Sequence, residues 1–263
     1  MDSLVSGEWL AAHLDDVRVV DVRWYLNGPS GRTAYEDGHI PGAVWLDIDT
    51  DLSAPATRED GRHPMPTAEH FAAALGHAGI SEGTPVVAYD DTGGSTASRL
   101  WWMLHVLGEP VAVLDGGLAA WPGELTTDVP LYPALTRTPR EWPRDRFVTA
   151  DELAAFDGAI FDARTAARYA QGDPAIDPRP GHIPGAQSAP WAGNLDESGR
   201  FRPSSQLRER FGDGAAIAYC GSGVTACHDL LAMHVAGIDD ITLYAGSWSQ
   251  WGADPNRPAE TGA

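Results

Sequence analysis

Cysteine is scarce in this 263-residue chain: there are two, Cys220 and Cys227. Two thiols exclude a disulfide-stapled scaffold, and they fit a reducing, cytoplasmic setting in which at least one stays free for chemistry. Positive charge is also in short supply, with 18 basic against 37 acidic side chains, a formal charge of −19 and a pI near 4.6. That imbalance argues against nucleic acid or an anionic membrane surface as a partner, because both would be repelled at long range. An anionic small molecule could bind only where arginines are gathered locally against the global field. No run of 18 apolar residues occurs, so no transmembrane helix is expected. The opening MDSLVSGEWLAAHLDD has neither the basic nor the apolar region of a secretory leader, so none is expected. Low-complexity tracts are missing too. What remains is 43% hydrophobic and 21% charged, enough apolar material for a full globular core.

The chain says things twice. GHIPGA occupies Gly38 to Ala43 and recurs unchanged at Gly181 to Ala186. A strand-like run ending in Asp-x-Arg precedes each copy, closing on Arg23 and on Arg164. A second β-rich run follows each, PVVAYD up to Asp90 and AAIAYC up to Cys220. Then VLDGGLAAWPG answers LYAGSWSQWG. Four signals in the same order indicate a duplicated α/β unit. Short apolar strands alternate with helical stretches such as Thr67 to Ile80 and Thr96 to Gly108, which predicts a mainly parallel sheet with helices on both faces. Gly79, Gly108 and Gly237 stand where glycines close helices. The expected division is residues 1–125, a proline-rich extended linker at 126–147, and 148–263. The linker arginines Arg137, Arg140, Arg144 and Arg146 read as a solvated basic strip.

Aligning the repeats puts Asp90 where Cys220 stands, so the second copy alone carries a thiol there. In CGSGVTA, Cys220 ends a parallel strand, at the rim where α/β proteins hold ligands. Gly221 and Gly223 let the backbone turn sharply, so that consecutive N–H groups can point inward as a nest. A helix starting near Thr225 adds unsatisfied N–H groups and the positive end of its dipole. All of this favours thiolate over thiol. The plain alternative, a buried cysteine before a Gly-rich turn, explains neither the glycines nor the duplicated scaffold. Cys227, on the helix itself, reads as a packed core thiol. A cysteine phosphatase would need arginine at position 226, which is alanine, and histidine at 219, which is tyrosine. No motif announces the Cys–His pairing of a papain-like protease, and Cys220, Cys227 and His228 lack zinc-ligand spacing.

Tandem α/β halves, paired GHIPGA, DVR and DAR strand ends, LDGG and GSW closings and a single cysteine loop in the second half resemble the two-domain rhodaneses over nearly the whole chain. The CGSGVTA loop is similar to that of the 3-mercaptopyruvate sulfurtransferases within that family; thiosulfate-using relatives typically carry arginine and lysine after the cysteine. The resemblance implies a Cys220 persulfide formed from a small-molecule sulfur donor. The sulfur then passes to a thiol acceptor, such as thioredoxin or a small thiol, or to cyanide, with no metal or organic cofactor. It implies that Arg168, in AARY, and Arg179, in DPR, bind substrate together with the loop residues Gly221, Gly223, Val224 and Thr225. Asp162 and Arg164 would brace the sheet rim. The segments VWLDIDT and RHPMP point to Asp49 and His63, which with Ser222 would manage protons. His39 and His182 are expected to anchor turns. A thiosulfate sulfurtransferase, or a non-enzymatic sulfur-carrying or binding module, are the alternatives.

Overall fold

The apolar runs become strands because their side chains are buried without alternation. All four residues of Val86–Tyr89, of Val111–Leu114 and of Ala216–Tyr219 are buried, as strands covered on both faces must be. In the computed structural model, which describes residues 1–262, the chain forms two units. The first comprises Met1–Ala54, Pro66–Trp142 and Glu197–Phe201; the second comprises Pro55–Met65, Pro143–Asp196 and the residues from Arg202 onward.

The first unit runs β1 (Leu4–Val5), α1 (Gly7–Ala12), β2 (Arg18–Asp21), α2 (Gly31–Asp37), β3 (Val44–Trp45), α3 (Ala68–His77), β4 (Val86–Tyr89), α4 (Ala97–Val106), β5 (Val111–Leu114). Its sheet has the order β1-β5-β4-β2-β3, parallel throughout. The second runs α5 (Ala150–Ala154), β6 (Ala159–Asp162), α6 (Ala166–Gln171), β7 (Gln187–Ser188), α7 (Ser204–Phe211), β8 (Ala216–Tyr219), α8 (Ala226–Val235), β9 (Ile241–Leu243), α9 (Ser247–Trp251). Its order is β7-β6-β8-β9, again parallel. The counterpart of β1 is reduced to one parallel bridge, Phe147 to Leu243. Among the described residues no helix is long and apolar enough to cross a membrane.

The repeated motifs do the same work in both units. Ile40-Pro41-Gly42-Ala43 is a tight turn closed by Ala43 N–H to the Ile40 carbonyl at 2.9 Å, with Gly42 at φ 77°. Proline then glycine is the pairing such a turn demands. The second copy repeats it with Ala186 N–H on the Ile183 carbonyl and Gly185 at φ 76°. Arg23 forks onto Asp21 and donates Nη2–H to the Gly38 carbonyl; Arg164 does the same to Asp162 and Gly181. Tyr89 and Tyr219 each accept the amide of the motif isoleucine. The Tyr219 hydroxyl stays protonated because burial, and then the Asp162 charge, raise its pKa far above the ordinary value. His39 and His182 stack on Tyr35 and Tyr169 and hydrogen-bond through Nδ1 to the carbonyls of the same tyrosines.

Gly79, Gly108 and Gly237 all take positive φ and close α3, α4 and α8 with the paired bonds of a Schellman motif. Arg137 departs from the expected solvated strip. It is buried, its Nη2 donating to Glu109 Oε1 at 2.8 Å and its Nη1 to the Ser81 carbonyl at 2.9 Å. The carbonyls left at the end of a loop and a buried acid select one arginine of four, a choice composition does not reveal.

One buried carboxyl is costly. Asp229 on α8 is fully buried, with Oδ1 accepting from Asn194 Nδ2 and Oδ2 unpartnered; burial pushes its pKa up to about 8. The unfolded carboxyl ionises near pH 4, so the folded state loses stability as pH rises from about 4 to about 8. Asp229→Asn, the neutral shape-mate, is expected to stabilise the protein by on the order of 2 kcal/mol more at pH 8 than at pH 5. Urea melts at both pH values check this; equal shifts would contradict it.

Candidate active site

The site is built where β8 ends. Cys220 is only 1% exposed, and its Sγ accepts the amides of Gly223 at 3.1 Å and Ser222 at 3.4 Å. Gly223 sits at φ 83°, and a Cβ there would meet the Ala245 carbonyl oxygen at 2.5 Å, so only glycine fits. Val224 is buried, and Thr225 is the residue before α8, making no side-chain cap bond. Cys227 is buried and donates Sγ–H to the Gly223 carbonyl at 3.4 Å, which bolts the far side of the turn to the helix.

The start of α9 holds the loop from below. Trp248 N–H donates to the Cys220 carbonyl and Ser249 N–H to the Gly221 carbonyl. Ser247 Oγ accepts the Cys220 amide at 3.1 Å while donating to the Tyr244 carbonyl. Ser247 has φ 52°, the only positive φ at a non-glycine among the described residues. Its counterpart in the first unit is Gly117, φ 60°, whose neighbour Leu118 N–H binds the Asp90 carbonyl in the same way. The second copy therefore spends about 1 kcal/mol of left-handed strain to keep a hydroxyl under the cysteine amide. Ser247→Gly should leave the melting temperature nearly unchanged, strain relief offsetting the lost bond. It should slow alkylation of Cys220 by iodoacetamide roughly tenfold as the loop drifts; an unaltered rate would show that the hydroxyl does not position the thiol.

In the first unit the corresponding loop is already full. Asp90 is buried, and its carboxylate accepts the amides of Thr92, Gly94, Thr96 and Ala97 and the Thr96 hydroxyl, all at 2.8–3.0 Å. The turn that surrounds Cys220 is thus, in its sister copy, an anion-binding nest with its anion in place.

Around Cys220 stand polar groups drawn from the second unit. His63 Nδ1 and Ser222 Oγ are 2.7 Å apart and both are buried. His63 lies among residues 55–65, which the sequence places in the first half but which group with the second unit. Arg168, on α6, forks onto Asp177 through Nε at 3.0 Å and Nη2 at 2.5 Å. Arg62, adjacent to His63, donates Nη1–H to the Ile176 carbonyl at 3.0 Å, and its amide binds Ser249 Oγ. A Cβ on Gly221 would stand 2.7 Å from Arg168 Nη2 and 2.8 Å from Arg62 Nη2. Gly221 is therefore bare because two guanidinium groups come right up to the loop. Burial, and then the Arg168 charge, pull the Arg62 pKa below its usual value.

The structure thus gathers Cys220, Ser222, His63, Arg168 and the loop glycines, with the Asp162–Arg164 brace behind them. Arg179 is turned elsewhere: Nη2 donates to the Arg257 carbonyl, and its guanidinium lies over the Trp248 ring. Asp49 belongs to the first unit, where its carboxylate accepts the Trp24 indole N–H at 2.9 Å. Arg62, Asp177 and Ser247 were not legible in the sequence. A pointer existed for Ser247, since GS stands where the first copy has GG. Among the described residues no cluster of His, Cys, Asp and Glu could hold a metal. An anion-ready loop, a paired histidine and serine, and converging guanidinium groups suit a nucleophilic thiolate acting on an anionic substrate.

The model of the rhodanese-like domain matches residues 6–124 and again 149–254. The chain is 41% identical to a probable 3-mercaptopyruvate sulfurtransferase of Pseudomonas aeruginosa, covering 98% of both chains. It is 35% identical to the putative thiosulfate sulfurtransferase SseB of Mycobacterium tuberculosis, covering 94% of this chain and 92% of that one. Among solved structures, 3-mercaptopyruvate sulfurtransferase from Leishmania major superposes with a TM-score of 0.85 at 31% identity, covering 95% of this chain and 74% of that one.

Proposed function

Because this chain belongs to the rhodanese-like family, carries its domain twice and is by its relatives a sulfurtransferase, we propose that it moves a sulfane sulfur from 3-mercaptopyruvate to a thiol or cyanide through a persulfide on Cys220. One observation carries this reading: Cys220 Sγ accepts the main-chain amides of Ser222 and Gly223, and the same Ser222 pairs with His63 at 2.7 Å.

The carboxylate of the donor binds Arg168. The Cys220 thiolate attacks the donor sulfur, an S–S bond forms and the C–S bond breaks, its electron pair passing to carbon as the enolate of pyruvate. The proton that the donor sulfur carried is the one carbon needs, and the Ser222–His63 pair is the relay that moves it. Cys220 is left as a persulfide anion and pyruvate departs. The outer sulfur of that persulfide lies one bond beyond Sγ, as the Asp90 oxygens lie one bond beyond their Cγ. The four amides that hold Asp90 therefore indicate which groups solvate it: the amides of Ser222, Val224 and Ala226, the fourth, that of Cys227, being taken by the Val224 carbonyl. A thiolate such as that of thioredoxin or a small thiol, or cyanide, then attacks the outer sulfur and frees Cys220. The acceptor half follows the same covalent logic and gives ping-pong kinetics.

Incubation with 3-mercaptopyruvate followed by intact mass tests the reading: one added sulfur, about 32 Da, should appear. A wild-type protein that gains no mass from any donor overturns it. Thiosulfate is the second reading, favoured by the guanidinium groups beside the loop, which would suit a compact dianion. A kcat/KM for thiosulfate well above that for 3-mercaptopyruvate would exchange the two.

A further inference from the structure

A cavity of about 450 Å³ opens on the second unit, between the turn at residues 57–61 and the stretch that follows α9. None of the residues gathered around Cys220 lines it. Its walls are already fixed. Gln250 accepts the Tyr244 hydroxyl on Oε1 at 2.7 Å and donates Nε2–H to the Glu59 carbonyl at 2.5 Å. Arg257 is committed to Asp151, Asp254 and the Ala150 carbonyl. Paired amide bonds between Thr57 and Gly61 close the turn, and Asp60 accepts the Thr57 hydroxyl. Two lining groups are left over, on successive residues. Arg58 makes one bond, Nη2–H to the Ala253 carbonyl at 2.9 Å, which ties its guanidinium to the opposite wall; among the described residues it has no carboxylate partner. The Glu59 carboxylate has no partner among the described residues either.

The charges of the lining decide the class of ligand. Arg257 and Asp254 offset each other, leaving one guanidinium and one carboxylate. A plain anion would meet Glu59 and the field of a chain at −19; a plain cation would meet Arg58. A molecule bearing both charges answers both groups and, neutral overall, is not turned away by the acidic surface. Ala150, Ala253 and Pro255 supply apolar wall for a short side chain, and the volume lies in the range of small-molecule sites. We propose that this cavity is an effector site for a small zwitterion of the α-amino acid type, its carboxylate on Arg58 and its ammonium on Glu59. The turn runs on into Arg62 and His63, which bond to Ser249 and Ser222. An occupant fastens the turn against the stretch after α9 and so steadies the segment that presents His63.

Titration of the full chain with L-alanine, followed by amide NMR, tests it. The Gln250 side-chain amide and the Ala253 main-chain amide should shift saturably, with a Kd on the order of 1–10 mM, the strength that exposed charge pairs allow. Propionate and ethylammonium, each carrying one of the two charges, should bind at least about tenfold more weakly. Arg58→Gln and Glu59→Gln should each weaken L-alanine roughly tenfold. Glu59→Gln removes no bond of the free protein, so its fold is not at stake. With L-alanine at about ten times its Kd, exchange of the Gly61 and Arg62 amides, both hydrogen-bonded, should slow roughly tenfold. No saturable shift, equal affinity for propionate, or unaltered binding in Glu59→Gln overturns the site. Binding that leaves the exchange unchanged overturns its hold on the His63 segment. None of these readouts involves sulfur transfer, so their failure and that of the proposed function are separate results.

Discussion

Cys220→Ser is expected to lower kcat/KM for sulfur transfer by at least about 10⁴-fold, since on the proposed mechanism it removes the nucleophile, and to abolish the 32 Da mass gain. The protein should meanwhile melt within a few degrees of wild type. The serine oxygen occupies the sulfur's place and can accept the same amides of Ser222 and Gly223, and the Cys220 N–H still binds Ser247. Loss of transfer with retention of fold separates chemistry from architecture. The companion variant Cys227→Ser keeps a hydroxyl to donate to Gly223 and should retain turnover. If Cys220→Ser and wild type were equally inactive with every donor, the chain would be a binding module. If Cys220→Ser still gained sulfur, another residue would be the carrier.

The second large effect lies in the unit without the thiol. Asp90→Ala leaves the amides of Thr92, Gly94, Thr96 and Ala97 pointing into a space with no acceptor. Each buried unsatisfied group costs about 1–3 kcal/mol, so the sum is on the order of 4 kcal/mol or more even with relaxation. That is comparable with the whole stability of an ordinary domain. Asp90→Asn keeps one oxygen and should lose about half as much. Hydrogen exchange at those four amides checks this directly: protection should drop in the order wild type, Asp90→Asn, Asp90→Ala. Retained protection in Asp90→Ala would mean that the loop holds its shape without an anion, and the comparison drawn for Cys220 would lose its basis.

Much of this was legible because the chain repeats itself. GHIPGA with Asp-x-Arg before it fixed a turn, a brace and a strand end twice over, and the run-and-helix alternation was enough for two parallel sheets. Cys220 stood out because glycines and a helix start surround it. What sequence could not supply was adjacency without periodicity. Arg62 sits in a loop whose order in the chain assigns it to the first half, while its hydrogen bonds run to Ile176 and Ser249. Asp177 shows its meaning only when Arg168 folds onto it. Arg137 is one of four similar arginines, and only the geometry around Glu109 decides which is buried. Ser247 is a milder case: the departure from the first copy's glycine was visible, but not the left-handed backbone that makes serine there expensive.

The aspartate lodged in the first loop also forecasts how the second one wears out. Peroxide carries a cysteine through sulfenic to sulfinic acid, and the sulfinate, two oxygens on one atom with a single negative charge, is the close shape-mate of an aspartate side chain. A turn that already cradles a carboxylate in one copy will cradle that oxidised group in the other. Overoxidation at Cys220 is therefore expected to end in an irreversible product held by the second copy's amides as Asp90 is held in the first.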